Sequence, residues 1–204
     1  MNLNIYNMTK NIIFFLFSLI LSCSAYAEQV VGRYQNSYFG KEFNIEASQE
    51  NGKLEQVYIG IEAKDAKKAF ITIKGSDLEL FKTALELVKD KYLEWQKIAK
   101  DNNVTELDKV FDIKFPSVSI AWSGSKWWFS FGNIIKMRFL ILESGKMIAV
   151  WAPKVTSSSN RYIDEQIYFA LEGEEDFDNL ISQLSYQSIL DQLLNTKNKE
   201  DLFK

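Results

Sequence analysis

The chain has 204 residues, 47% of them hydrophobic and 25% charged, a balance that excludes a disordered or fibrous protein. It has no histidine and one cysteine, Cys23, which excludes Cys–His zinc sites and Cys–His or Ser–His–Asp nucleophiles. A formal charge of −3 with only three arginines, Arg33, Arg138 and Arg161, disfavours nucleic acid as a partner, because phosphates need a basic footprint.

The first segment has the order of an export signal. Lys10 precedes the apolar run IIFFLFSLIL, Ile12 to Leu21, and Ala25-Tyr26-Ala27 offers small residues where a signal peptidase reads. The run is too short to span a bilayer. Residues 1–27 are therefore expected to be a signal peptide and the protein to be exported, either periplasmic or secreted. A retained amphipathic anchor is one alternative. Another is lipidation at Cys23, since Ile20-Leu21-Ser22-Cys23 has the form of a bacterial lipoprotein box, although Leu21 fits it poorly. Membrane attachment is expected only if Cys23 is acylated. Loss of Lys10 with an acid-free leader takes the formal charge from −3 to −4. Without cysteine the remaining chain folds on its core alone, which its size allows.

Two stretches echo each other. Tyr38-Phe39-Gly40 leads into KEFNIEASQENGKLEQVYIGIEA, and Ser130-Phe131-Gly132 leads into NIIKMRFLILESGKMIAVWAPKV. Each contains a hairpin signal, Asn51-Gly52 or Ser144-Gly145. Each is followed by a strand-like run ending in glycine, KKAFITIKG at Gly75 and EQIYFALEG at Gly173, and then by a helical segment.

In the first helix, Ser76 and Glu79 have capping-box spacing. Phe81, Leu85, Val88, Tyr92, Trp95 and Ala99 form one apolar stripe, and the helix should end near Asn102-Asn103. Between the repeats, Phe111, Ile113 and Phe115 alternate with polar residues and predict a strand, as do Val118, Ile120 and Trp122, with Pro116 at an edge or break. The second helix opens on Glu174, Glu175 and Asp176 at the positive end of its dipole. Its stripe is Phe177, Leu180, Ile181 and Leu184, continued by Ile189, Leu190, Leu193 and Leu194 after a bend at Ser185. Asn103-Val104-Thr105 fits a glycosylation sequon, but beside a bacterial signal it reads as a turn.

The expected fold class is α+β: two pseudo-symmetric repeats of antiparallel strands followed by a helix, with the helices packed on one face of the sheet. The repeats span about 30–102 and 109–196, in a single globular domain of 28–196 with a flexible tail of 197–204.

Strand alternation assigns faces. Ile167, Phe169 and Leu171, with Ala69, Ile71 and Ile73, make the inner face. Val57 and its aligned partner Val150 are placed with them. In SKWWFSF the trio Trp127, Phe129 and Phe131 reads as core, and Trp128 as the odd ring out. Five rings are then expected on the outer face: Tyr58, Phe70, Trp128, Trp151 and Tyr168. Such rings are stacking platforms for sugars, peptide side chains or bases. They equally suit a closed sheet or a homodimer.

Other candidates are less defined. The acids Glu172, Glu174, Glu175, Asp176 and Asp178 lack EF-hand spacing and suit a helix start better than calcium. Asp112, Asp164 and Glu165 are candidate acid–base carboxylates that nothing in the pattern brings together. Asn160-Arg161-Tyr162, after the Ser157-Ser158-Ser159 loop, could form a polar ligand edge. No cofactor and no metal is called for.

The stretch KYLEWQKIAKDNNVTELDKVFDIKFPSVSIAWSGSKWWFSF, together with the leader, resembles small exported proteins of Bacteroidota. That resemblance implies a compartment and supplies no activity or site residues. The layout of strands then a helix, repeated, is similar to that of PUR and Whirly single-stranded nucleic-acid binders, from which the acidic charge and the leader depart; layout alone carries no function. The reading is a non-catalytic envelope module that binds a protein, peptide or glycan, or itself, through the outer aromatic face. An extracytoplasmic carboxylate-based hydrolase and a single-stranded nucleic-acid binder are the alternatives.

Overall fold

Gly52 and Gly145 both sit at positive φ in tight turns, beside Asn51, which also has positive φ. Turns of this hand suit the strand twist, so each of the two expected hairpins forms. A computed structural model describes residues 28–201, with side chains to residue 196. The leader and Cys23 lie outside the described residues, as do residues 202–204.

The strands are β1 (Gln29–Asn36), β2 (Lys41–Glu50), β3 (Lys53–Ala63), β4 (Lys68–Lys74), β5 (Leu107–Val110), β6 (Val118–Ser123), β7 (Trp127–Asn133), β8 (Arg138–Ile141), β9 (Met147–Trp151), β10 (Lys154–Ser157) and β11 (Asn160–Glu172). The helices are α1 (Leu78–Asp101), α2 (Gly173–Gln183) and α3 (Tyr186–Asp201). The fold is α+β. The sheet runs β5-β8-β9-β11-β3-β4-β6-β7, with β2 joining β1 to β3 and β10 pairing with β11. All the pairings are antiparallel.

Helix α1 buries Phe81, Leu85, Val88, Tyr92 and Ala99, as its stripe requires, with Trp95 half-buried against the same cluster. It ends at Asn102, whose N–H reaches back to Ile98 O, and Asn103 follows at positive φ. The expected capping box does not form. A 3₁₀ turn, Gly75–Asp77, precedes the helix, and the side chain of the N-cap residue Asp77 makes no capping bond. Glu79 instead accepts a hydrogen bond from the Tyr186 N–H at 3.2 Å, tying α1 to α3. The expected bend at Ser185 is a full break between α2 and α3, where Ser185 Oγ accepts from the Ser188 N–H.

The strand expected over Phe111–Phe115 is absent. Regular pairing stops at Val110 and resumes at Val118. The alternation there has another cause: Phe111 stacks on Trp95 with centroids 4.9 Å apart, and Phe115 meets Phe81 edge-on at 5.4 Å. These are buried anchors of an irregular segment.

The main core joins helix residues such as Leu78, Phe81, Leu85, Phe177 and Leu180 to strand residues Ile45, Val57, Ile59, Ile71, Ile73, Ile120, Phe139, Ile167, Phe169 and Leu171. The strand side carrying this cluster is the inner face. On the opposite face of β9 and β11 a smaller cluster of Ile148, Val150 and Ala170 packs with Tyr38 and Phe39 of the β1–β2 turn.

Candidate functional site: the outer aromatic face

Which rings face outward is decided by register. The Gly124–Lys126 turn returns β7 along β6 so that Trp128 pairs with Trp122 and Ser130 with Ile120. Ile120 and Trp122 are buried in the main core. Their partners must point the same way. Trp128 accordingly packs against the main core, with the Lys126 ammonium 4.3 Å from its ring centroid. Trp127, Phe129 and Phe131 take the other side and stand 43%, 44% and 65% exposed. The expected phase of SKWWFSF is therefore inverted: the trio is outward and Trp128 inward.

Trp151 is also misplaced by the sequence reading. It pairs with Phe169, is 6% exposed and belongs to the main core. Its neighbour Val150 points to the opposite side, into the smaller cluster. The cause is a register shift between Ser48 and Gln49 against β3, where Gln56 faces Ser48 and Leu54 faces Gln49. One extra residue in β3 flips the side-chain parity beyond the turn. The β8–β9 ladder has no such shift, so aligning the two hairpins from their Gly-Lys turns pairs residues of opposite face.

Tyr58, Phe70 and Tyr168 do lie on the outer side, by alternation with the buried Val57, Ile59, Ile71, Ile167 and Phe169. Tyr168 stands across from Glu62. Tyr58 meets Phe70 edge-on at 6.3 Å, and Phe70 meets Trp127 at 6.0 Å. Phe70 is buried under these two rings. Phe129 and Phe131 are almost parallel, 8° apart, with centroids at 6.3 Å. The outer rings therefore form a chain from β3 across to the edge strand β7. Counting outward from Ser123 and Trp127, the first pair across the turn, is the sequence signal that finds the exposed trio.

At the β3 end the chain meets charge. Burial, and then the nearby Glu28, push the Tyr58 hydroxyl up to about 12. Burial and the facing Glu46 raise the Glu28 carboxyl, against the hydrogen bond from Tyr58 and the positive charge of Lys68. Beside Phe70 the β2–β3 ladder ends at the Ile45–Ile59 pair, and a groove of about 200 Å³ opens, lined by Asn44, Glu42, Glu46, Lys67 and Lys68. Gly60 forms part of its lining. A Cβ there would sit 2.9 Å from the Asn44 carbonyl oxygen, so only glycine leaves this close strand approach undisturbed.

The edge of β7 is covered. The turn after β10 brings the Ser158 N–H to Phe129 O at 2.8 Å, and Ser158 Oγ accepts from the Phe131 N–H at 3.1 Å. The Asn160-Arg161-Tyr162 segment is self-paired: Arg161 donates to Tyr162 Oη at 2.8 Å and lies over its ring.

The candidate carboxylates have separate partners. Asp164 pairs with Lys154 at 3.0 Å. The buried Glu165 accepts from the Asp65 and Gln166 N–H groups. Asp112 borders a different groove along α1, of about 450 Å³, where Trp95 is already contacted by Phe111 and Lys109. In the acidic run, Glu174 and Asp178 both hold Lys89, and Glu172 pairs with Lys146. Asp176 is fully buried and accepts from the Ser37 and Glu172 N–H groups, so it fastens the β1–β2 turn to the start of α2. Among the described residues no cluster of three or more acids, histidines or cysteines is placed to hold a metal ion, and no helix is long and apolar enough to cross a membrane. Set against known proteins, the chain matches no family model, no curated protein and no solved structure.

Proposed function

We propose that the protein is a non-catalytic binding module, exported by its leader to the cell envelope or beyond, that takes a protein, peptide or glycan on its outer aromatic face. The observation that carries this reading is the row Trp127, Phe129 and Phe131, large rings left in water on a strand whose other side carries the half-buried Trp128 and the buried Ser130. Covering a ring of this size returns about 1.5–3 kcal/mol. Folding of the chain alone leaves that gain uncollected, whereas a ligand or partner collects it. The same reading includes an internal duplication, with the helices on the inner face. It is supported by the matched positive φ of Gly40 and Gly132 and of Gly52 and Gly145, and by the shared core of helix and inward strand residues.

Hydroxyl-radical footprinting of the purified protein tests the proposal, with Trp151 as the internal control. Heavy labelling of Trp127, Phe129 and Phe131 beside a protected Trp151 is the expected result. Protection of all four rings at every concentration would remove the binding face.

A further inference from the structure

We propose that the occupant of this face is a glycan chain, with sugar rings stacked on Trp127 and Phe129 and hydroxyls reaching the groove beside Phe70. The inference rests on the binding-face reading above and adds the class of ligand.

Three observations select a glycan. First, the area is small. Three rings at 43%, 44% and 65% exposure offer roughly 300 Å² when a whole ring buries about 150–250 Å². A stable protein partner, a second copy included, needs about 800 Å² per side. Second, an extended peptide would gain most of its affinity by adding a strand to the β7 edge. Ser158 already occupies Phe129 O and the Phe131 N–H there, which leaves the flat faces of the rings as the contact. Third, the groove that continues the ring chain is polar and of mixed sign. Lys67 and Lys68 donate, Glu42 and Glu46 accept, and Asn44 does both. That set matches hydroxyls, which donate and accept at once, better than it matches a phosphate or a purely apolar group. Four adjacent strands, β3-β4-β6-β7, span roughly 14 Å at the usual strand spacing, a length suited to a short linear oligosaccharide laid across them.

The probes are short linear oligosaccharides of glucose, xylose, N-acetylglucosamine and galacturonate. The readout is the indole N–H resonance of Trp127 in the purified protein, assigned with Trp127→Phe. At least one sugar should shift it saturably. Binding of that sugar, followed by calorimetry, should weaken at least about tenfold in the Trp127→Ala/Phe129→Ala variant, a tenfold change being about 1.4 kcal/mol, and should also weaken in Lys68→Ala. If none of these sugars moves the signal at millimolar concentration while footprinting finds the rings open, the glycan inference is overturned and the binding face remains, with a different occupant. If a sugar binds the double variant as tightly as the parent, it sits elsewhere and both readings fall.

Discussion

The hydroxyl of Tyr92 accepts a hydrogen bond from the backbone N–H of Gly173 at 3.0 Å. It donates in turn to Met147 O at 2.7 Å. One side chain on α1 thus fixes the first residue of α2 and the start of β9, two segments far apart in sequence. Removing the hydroxyl leaves a helix-start N–H and a strand carbonyl without this partner, while the ring keeps its contacts with Phe139 and Phe177. Tyr92→Phe should cost about 1–3 kcal/mol, read as a lower urea midpoint at unchanged slope.

Asp176 does comparable work for the β1–β2 turn. Its two carboxylate oxygens each take one backbone N–H, from Ser37 at 2.9 Å and Glu172 at 2.8 Å. Asp176→Ala takes the acceptor from both backbone donors and should cost about 1–3 kcal/mol. Asp176→Asn keeps one acceptor oxygen and should cost less. Equal losses in the two variants would show that the carboxylate's negative charge, and not the count of acceptors, holds the turn.

The rings separate into structural and surface groups, and substitution should rank them. Trp151→Ala empties a site in the main core and should cost about 3–5 kcal/mol. Trp95, half-buried between Phe111 and Phe139, should cost about 2–3 kcal/mol on the same scale. Phe129→Ala, on the outer face, should change stability by no more than about 0.5 kcal/mol. Denaturant melts of the three variants check the order, and a large loss at Phe129 would place that ring in the core.

Local signals were legible and non-local ones were not. The stripe of α1, its end at Asn102 and the Asn51-Gly52 and Ser144-Gly145 turns all depend on residues a few positions apart. The face of β7 depends on which β6 residue opposes it, and alternation alone fixes only that Trp127, Phe129 and Phe131 travel together. Trp151 was lost to a bulge: the shift at Ser48–Gln49 has no distinct residue signature, yet it reverses every face read across from the other hairpin. Phe111 and Phe115 mimic a strand because an irregular segment with two buried anchors produces the same spacing. Alternation does place Tyr58, Phe70 and Tyr168 on the outer side of the sheet, whereas the exposed rings of β7 read from the same alternation as core.

Alkaline pH should destabilise the protein. Tyr58 is raised from its ordinary 10.0 to about 12; burial also raises Tyr34 and Tyr92. The neutral phenol is the form favoured in the folded state, so between these values the folded state holds more protons than the unfolded one, and stability falls as pH rises. The Tyr58 contribution should be intact below about pH 10 and lost between about pH 10 and 12. Tyr58→Phe should flatten that part of the profile in thermal melts across the range, and an unchanged slope would assign the alkaline loss to Tyr34 and Tyr92.

Ser158 guards the sheet edge, and its removal should be visible as association. Strand β7 lies at the end of the sheet, and an edge that carries three exposed rings is a template for pairing with another chain. Ser158 blocks it with its N–H on Phe129 O and its Oγ on the Phe131 N–H. Ser158→Ala deletes only the second contact and should leave the protein's mass in solution unchanged. Ser158→Pro deletes both, because proline has no N–H, and frees the middle of the edge beside Phe129 and Phe131. Light scattering behind size exclusion should then show concentration-dependent oligomers for the proline variant, suppressed when Phe129→Lys is added to put a charge on the edge. If Ser158→Pro elutes as the parent does, the rings rather than the backbone edge govern what this face can join.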